Sequence, residues 1–394
     1  MTRRSTARIL SGWLIAGTFL ALVGCQTPPA AAPAARPAAS SPAQDAPGAA
    51  ASPAAPAPAG ASASAEAGAA TAPSGALDVV KAADAKALTS AGMYVALEKG
   101  YFRDQNIDLQ LETVAGGADV VPFLATGDLD INLGAISVGL FNAFDRGADI
   151  RIVAPAGVMP LENSPLPLVV RKELLDSGQV RTPADLKGRR VAVNTRGASV
   201  EYVLTKVLER NGLTINDVDQ VPVPFPDMPA ALSNGSVDAA IPAEPFATRA
   251  LDLGVAERLV VEIVPGRMTT AIIASGKLVR ERPDVLRRFM VAYMKGIRDI
   301  QPPALGVSDV NKFLTPEHVA IFEKYTGAPE SVLRNQVPYT FDADLVIQRD
   351  SIEDQQLTHM RNGLLTLAQP VSVDRMVDDS FTQYARDTLG KVRP

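Results

Sequence analysis

From Leu77 onward, short runs of aliphatic and β-branched residues alternate with helical patterns of about ten residues, which leaves few architectures open. Leu77-Asp78-Val79-Val80-Lys81 reads as a strand. A helix follows near Thr89-Ser90, whose hydroxyls suit an N-cap, and Gly100 ends it. Ile107, Leu109 and Leu111 share one face of a second strand. Residues 118–125 are helical, 129–133 extended, 137–146 helical, and 150–154 form a fourth strand. Strands separated in this way form βαβ units, which predicts a parallel sheet. The pattern restarts at 166–170 and runs through strands at 191–193 and 237–241. After a strand over 270–274 it turns helical, with a long amphipathic helix over 283–300. The expectation is an α/β protein of two lobes with a helical C-terminal part. Residues 77–165 and 271–394 form lobe one, and 166–270 form lobe two inserted into it.

The residues before this region cannot make a core. From Thr27 to Gly75 the chain is almost all Ala, Pro, Ser and Gly, with Arg36, Asp45 and Glu66 nearly its only charges. Such a composition buries too little to offset conformational entropy, so a disordered tether over 25–76 is expected. As a coil of about 50 residues it spans roughly 40 Å. Ahead of it, Arg3, Arg4 and Arg8 precede an apolar run from Ile9 to Val23, the order of an export signal over 1–24. The run is shorter than the ~20 residues that a span needs. Leu22-Val23-Gly24-Cys25 resembles the lipobox of bacterial lipoproteins. The resemblance implies that Cys25 is lipidated and becomes the first mature residue, anchored to the membrane from its extracytoplasmic side. An ordinary secretory signal with an incidental cysteine is the alternative. Cys25 is the single cysteine, so no disulfide forms within the chain.

The formal net charge of −5 gives no basic field for nucleic acid, and Lys and Arg do not cluster among aromatics. No Gly-x-Ser-x-Gly elbow, phosphate loop or His/Cys metal spacing occurs. The two histidines, His318 and His359, fall in the C-terminal helical part and read as surface positions. The expectation is a protein that is not an enzyme and needs no cofactor or metal.

Four ordered segments carry a resemblance. They are Ala96-Leu97-Glu98-Lys99-Gly100-Tyr101-Phe102 with Asn106-Ile107-Asp108-Leu109, then Gly127-Asp128-Leu129-Asp130-Ile131, then 185–193, and Asn234-Gly235-Ser236-Val237-Asp238-Ala239 with Glu244-Pro245-Phe246. In order and spacing they resemble the periplasmic binding-protein family of nitrate, sulfonate, taurine and thiamine-pyrimidine ABC importers. The resemblance implies a type II binding-protein fold in which two hinged lobes close on a small molecule. It implies a monomer that hands its ligand to a membrane permease. A ligand sensor that presents its occupied state to a receptor is the alternative. More remote are the pyrimidine-synthesis enzymes of the superfamily, which carry a cysteine-rich segment that this chain lacks.

Ligands of open α/β sheets sit beyond the carboxyl ends of strands, where helix N-termini offer free N–H groups to anions. Three junctions fit: Thr89-Ser90-Ala91-Gly92, Gly134-Ala135-Ile136-Ser137 and Thr195-Arg196-Gly197-Ala198-Ser199. Ser90, Ser137 and Ser199 are the candidate ligand contacts, and each also serves as a plain N-cap. Arg196 offers a positive charge. Glu244 falls where the family often contributes a cleft residue, and a carboxylate there suits an amine or aminopyrimidine. Tyr94, Phe225 and Phe246 read either as stacking partners or as core. The chain departs from the family's Trp-x-Pro-Tyr element, having Pro242-Ala243-Glu244-Pro245-Phe246. The expected ligand is a nitrogen- or sulfur-containing organic molecule: an aminopyrimidine, an amino-sulfonate or a sulfonate.

Overall fold

A computed structural model describes residues 76–114, 120–301 and 314–392. The signal, Cys25 and the tether lie outside the described residues. The strands are β1 (Asp78–Asp84), β2 (Ile107–Thr113), β3 (Ile131–Ala135), β4 (Ile150–Val158), β5 (Leu168–Arg171), β6 (Arg190–Val193), β7 (Asp219–Pro222), β8 (Ala239–Ala240), β9 (Ala256–Val260) and β10 (Met268–Ser275). They form two five-stranded sheets, ordered β2-β1-β3-β10-β4 and β7-β6-β8-β5-β9.

Neither sheet is purely parallel, which corrects the sequence expectation. β1 runs parallel to β2 and β3, but β10 lies antiparallel between β3 and β4. In the second sheet β6 is parallel to β7 and β8, while β5 is antiparallel to β8 and β9. The reason is the route of the chain. It leaves the first sheet at the end of β4, builds the second, and re-enters the first at that same end, Met268 beside Val158, so β10 runs back against β4. Every residue of β10 is buried, as the near-continuous run Met268-Thr269-Thr270-Ala271-Ile272-Ile273-Ala274 requires of an inner strand. The two crossings between sheets, at 159–167 and 261–267, bond to each other through Met159 N to Arg267 O and Gly266 N to Met159 O, both 2.9 Å.

Seven helices position the site. They are α1 (Ala91–Glu98), α2 (Val138–Asp145), α3 (Ser199–Arg210), α4 (Phe246–Asp252), α5 (Pro283–Ile300), α6 (Pro316–Thr326) and α7 (Arg349–Arg361). Pro283 opens α5, where its missing N–H costs nothing. Leu286, Phe289, Met290, Tyr293 and Ile297 then bury its apolar face. Helices α1 and α5 cross almost in backbone contact. A Cβ on Gly296 would lie 2.1 Å from the Gly92 carbonyl oxygen, and one on Gly92 2.3 Å from Ile297 Cδ1. Only glycine fits at either place.

The tail returns to the first sheet. Thr340 bridges Val158, and Val377 bridges Ile152. Arg298 donates to the carbonyls of Ala343, Leu389 and Gly390 and to Asp344. This packing overturns the surface reading of the histidines. His318 is 2% exposed and His359 is 0% exposed. His318 completes the capping box of Thr315 and bonds Asp299 through Nε2 at 3.2 Å. His359 lies 6.4 Å from the Phe141 ring, with both ring nitrogens lacking a hydrogen-bond partner.

Candidate ligand cleft

The carboxyl ends of β1, β3 and β6 lead into the three junctions read from the sequence, and a chain of contacts links them. Three residues converge on Gly157 of β4. A Cβ there would stand 3.0 Å from Thr270 Oγ1, 3.1 Å from Tyr339 Cδ1 and 3.4 Å from Thr89 Cγ2. Thr270 pairs with Ala135, which leads to Ser137 and α2. The Val138 N–H at the start of α2 donates to the Gly197 carbonyl of the second lobe at 2.8 Å. Gly197 has φ +70°, and a Cβ on it would press on Val138 at 3.0 Å, so both the turn and the approach call for glycine.

The predicted residues divide. Ser137 is extended and its hydroxyl accepts from Leu140 N at 3.2 Å, as an N-cap should. Ser199 is the first residue of α3 and is buried; Ala198 holds the cap position. Arg196 is exposed. Ser90 makes no cap hydrogen bond; its hydroxyl donates to Asp84 Oδ1 at 2.8 Å. Tyr94 donates to both Asp84 oxygens, at 2.8 and 2.7 Å, and stacks on Tyr325 with ring centres 4.3 Å apart. Burial raises the Asp84 carboxyl pKa, opposed by the bonds from Tyr94 and Ser90. Tyr94, Phe225 and Phe246 all belong to the main core.

Glu244 is where the sequence reading and the structure diverge. It is fully buried, and both of its oxygens already have protein partners. Oε2 accepts from Thr248 N at 2.9 Å. Oε1 accepts from Thr248 Oγ1 at 3.0 Å, Arg258 Nη2 at 2.7 Å and Val337 N at 3.3 Å. Burial raises its pKa, against the Thr248, Arg258 and Val337 groups that favour the charged form. The carboxylate thus forms a neutralised pair with Arg258 and joins α4 to the returning tail. The helix-start position was legible; the arginine, 14 residues away on β9, was not.

Two further features escaped the sequence reading. Glu201 is buried, accepting from the Gly197 N–H on one oxygen and from Gln220 Nε2 at 3.2 Å on the other. It stands in the first turn of α3, where acids are favoured, but with Ala198 at the N-cap the chain has no Ser/Thr-x-x-Glu capping box to signal it. The hydroxyls of Thr269 and Thr270 and Oδ1 of Asn194, at the end of β6, are buried without a hydrogen-bond partner. Separately, a cavity of about 20 Å³ is lined by Leu88, Ala91, Ile300, Phe322, Tyr339 and Phe341. It has room for one water or a methyl group. Among the described residues no cluster of acids, histidines or cysteines could hold a metal, and no helix is long and apolar enough to cross a membrane.

The family model described as NMT1/THI5 like matches residues 88–303. The chain belongs to that family. The match begins at the first junction and ends just past α5, so it takes in all three junctions. No match was found among curated proteins. Among solved structures, the periplasmic nitrate-binding protein NrtA from Synechocystis PCC 6803 is similar at 14% identity and a TM-score of 0.66. That similarity covers 81% of this chain and 90% of that one. The alkanesulfonate-binding protein SsuA from Xanthomonas axonopodis pv. citri, bound to MOPS, is similar at 19% identity and a TM-score of 0.60, covering 78% and 99%. The desulfurization enzyme DSZB is similar at 18% identity and a TM-score of 0.56, covering 79% and 99%. The NMT1/THI5-like chain therefore has the two-lobed binding-protein fold, a fold that also carries an enzyme.

Proposed function

We propose that this chain is an extracytoplasmic solute-binding lipoprotein, anchored through Cys25, that encloses a small organic molecule between its lobes and delivers it to an ABC-type importer. The observation that carries the reading is the linkage of three strand-to-helix junctions around buried polar atoms that have no protein partner. An unsatisfied buried hydroxyl or amide oxygen costs about 1–3 kcal/mol, which a ligand hydrogen bond would recover. The N–H ends at Ser90, Ser137 and Ser199, with the charge of Arg196, suit an acceptor-rich group. Since Arg258 neutralises Glu244, the reading no longer asks for an amine. Nitrogen- or sulfur-containing molecules with an acceptor-rich edge, sulfonates first, fit best.

A binding protein is favoured over an enzyme by the state of the buried acids. Asp84, Glu201 and Glu244 each have both carboxylate oxygens engaged by protein donors. None is left as an open general base. Mass spectrometry of small molecules released from the purified, denatured protein tests the proposal, followed by calorimetry with whatever is found and with alkanesulfonates and nitrate. A released molecule that rebinds tightly and unchanged is the expected result. Turnover of that molecule, or no release and no binding heat, would overturn it. The anchor has its own test: Cys25→Ser should leave the detergent phase on partition, and a variant that stays there refutes lipidation.

A further inference from the structure

Helix α3 belongs to the second lobe. Val203, Leu204, Val207 and Leu208 are buried in one cluster with Val191, Ala192 and Val193 of β6. Helix α7 is built into the first. Met268 N at the start of β10 donates to Gln348 Oε1 at 2.9 Å and to Ser351 Oγ at 3.3 Å. Gln355 Nε2 donates to the Met268 carbonyl at 3.0 Å, and Ile352 is buried with Ile273 and Phe141. Between these two anchored helices runs a row of polar contacts. Tyr202 Oη donates to Asp354 Oδ2 at 2.6 Å, and Lys206 Nζ to Asp354 Oδ1 at 2.9 Å. Asn362 Nδ2 donates to Thr205 Oγ1 at 2.9 Å, and Arg361 lies 3.7 Å from Glu209. On α3 the positions 202, 205, 206 and 209 form one stripe along a single face.

We infer that Asp354 is a positioning residue that holds α3, and with it the Gly197–Ser199 turn, at its angle to the first lobe. A helix moves nearly as a rigid rod, so the contact made along its length at Tyr202 and Lys206 sets where its N-terminus stands. That N-terminus carries the Gly197 carbonyl that receives Val138 N across the cleft. The contact row is polar and partly wet: the Asp354 side chain is 32% exposed. Such a contact can exchange its bonds for water and let the lobes turn about the 159–167 and 261–267 crossings, as hinged lobes do. Tyr202 is 1% exposed, and Asp354 is the partner its buried hydroxyl finds, from the other lobe. Arg267, in the second crossing, donates to Asp350 at 2.5 Å and ties the same helix α7 to the hinge. Losing the brace should lower the fraction of molecules with the lobes set for binding, and so reduce apparent affinity in proportion. That consequence rests on the proposed function; the brace itself does not.

The test needs no ligand. Spin labels on Arg103→Cys and Gln179→Cys, in the full chain with Cys25→Ser, report the distance between lobes by pulsed electron resonance after dialysis. Asp354→Ala should broaden or lengthen that distance by about 3 Å, a water's width inserted at the contact. Tyr202→Phe should move it in the same direction by less. Asp354→Asn, which keeps an acceptor for Tyr202 and loses the charge facing Lys206, should restore part of the original distribution. An unchanged distribution in Asp354→Ala, whatever happens to its melting temperature, overturns the inference. A shifted distribution in a protein that releases no small molecule and gives no binding heat would keep the brace and remove the proposed function.

Discussion

The first junction, at Ser90, and the third, at Ser199, look alike in sequence, yet they are held in different ways. At Ser90 every support comes from the first lobe: Asp84 gathers Ser90 and Tyr94, Tyr94 stacks on Tyr325, and Tyr325 donates to Glu98. Behind it, α1 meets α5 through two glycines. At Ser199 the turn is held from within by Glu201 and from outside by Val138 of the first lobe. One junction is a floor built into its own core. The other is a jaw whose position depends on the opposite lobe. In a two-lobed binding fold this division lets one side stay rigid while the other moves.

The floor should break most severely at α1–α5. Gly296→Leu forces a side chain into backbone contact, and the expected cost is about 3 kcal/mol, the upper end of overpacking. A urea midpoint shows it, and a loss under 1 kcal/mol would mean that the two helices part easily. Acid should come next. Burial lowers the His359 pKa from 6.5 to about 4. The unfolded chain therefore takes up this proton first, and stability is lost as pH falls from 6.5 towards 4, by roughly 3 kcal/mol at most. His359→Leu should flatten that part of the pH–stability curve, and an unchanged slope would place the acid sensitivity elsewhere.

The jaw should respond more gently. Glu201→Gln leaves the Gly197 N–H with a weaker acceptor, for an expected cost of about 1.5 kcal/mol. Faster hydrogen exchange at Gly197 and Val138 should accompany it, while Ser90 and Tyr94 exchange as before. Equal effects at both junctions would erase the distinction. The smallest change in stability is expected from Thr270→Val. Its hydroxyl has no partner to lose, so the melting temperature should hold or rise, while retention of a copurified ligand falls about tenfold, one hydrogen bond's worth. Unaltered retention would take Thr270 out of the site.

Much of this was legible because it is local. Period-two and helical spacing placed the strands and helices, and the junction residues stood where helices begin. Ser137 is an N-cap as its position suggests. What was not legible depended on partners far along the chain. Ser90 caps nothing, because its hydroxyl is taken by Asp84, which Tyr94 also holds. His318 and His359 look like solvent-facing helix positions until α6 and α7 are packed on the first lobe.

By itself the sequence determined that this chain is α/β, where its helices begin, and which family it belongs to, since these follow from residue spacing and ordered motifs. Only the tertiary structure decided that β10 runs antiparallel through the first sheet, that Arg258 neutralises Glu244, and that Asp354 reaches Tyr202. Local spacing selects each element, because backbone and neighbouring side chains suffice to form it. Charge state and burial are set by whichever distant group folding brings within about 3 Å, and no local pattern records that distance.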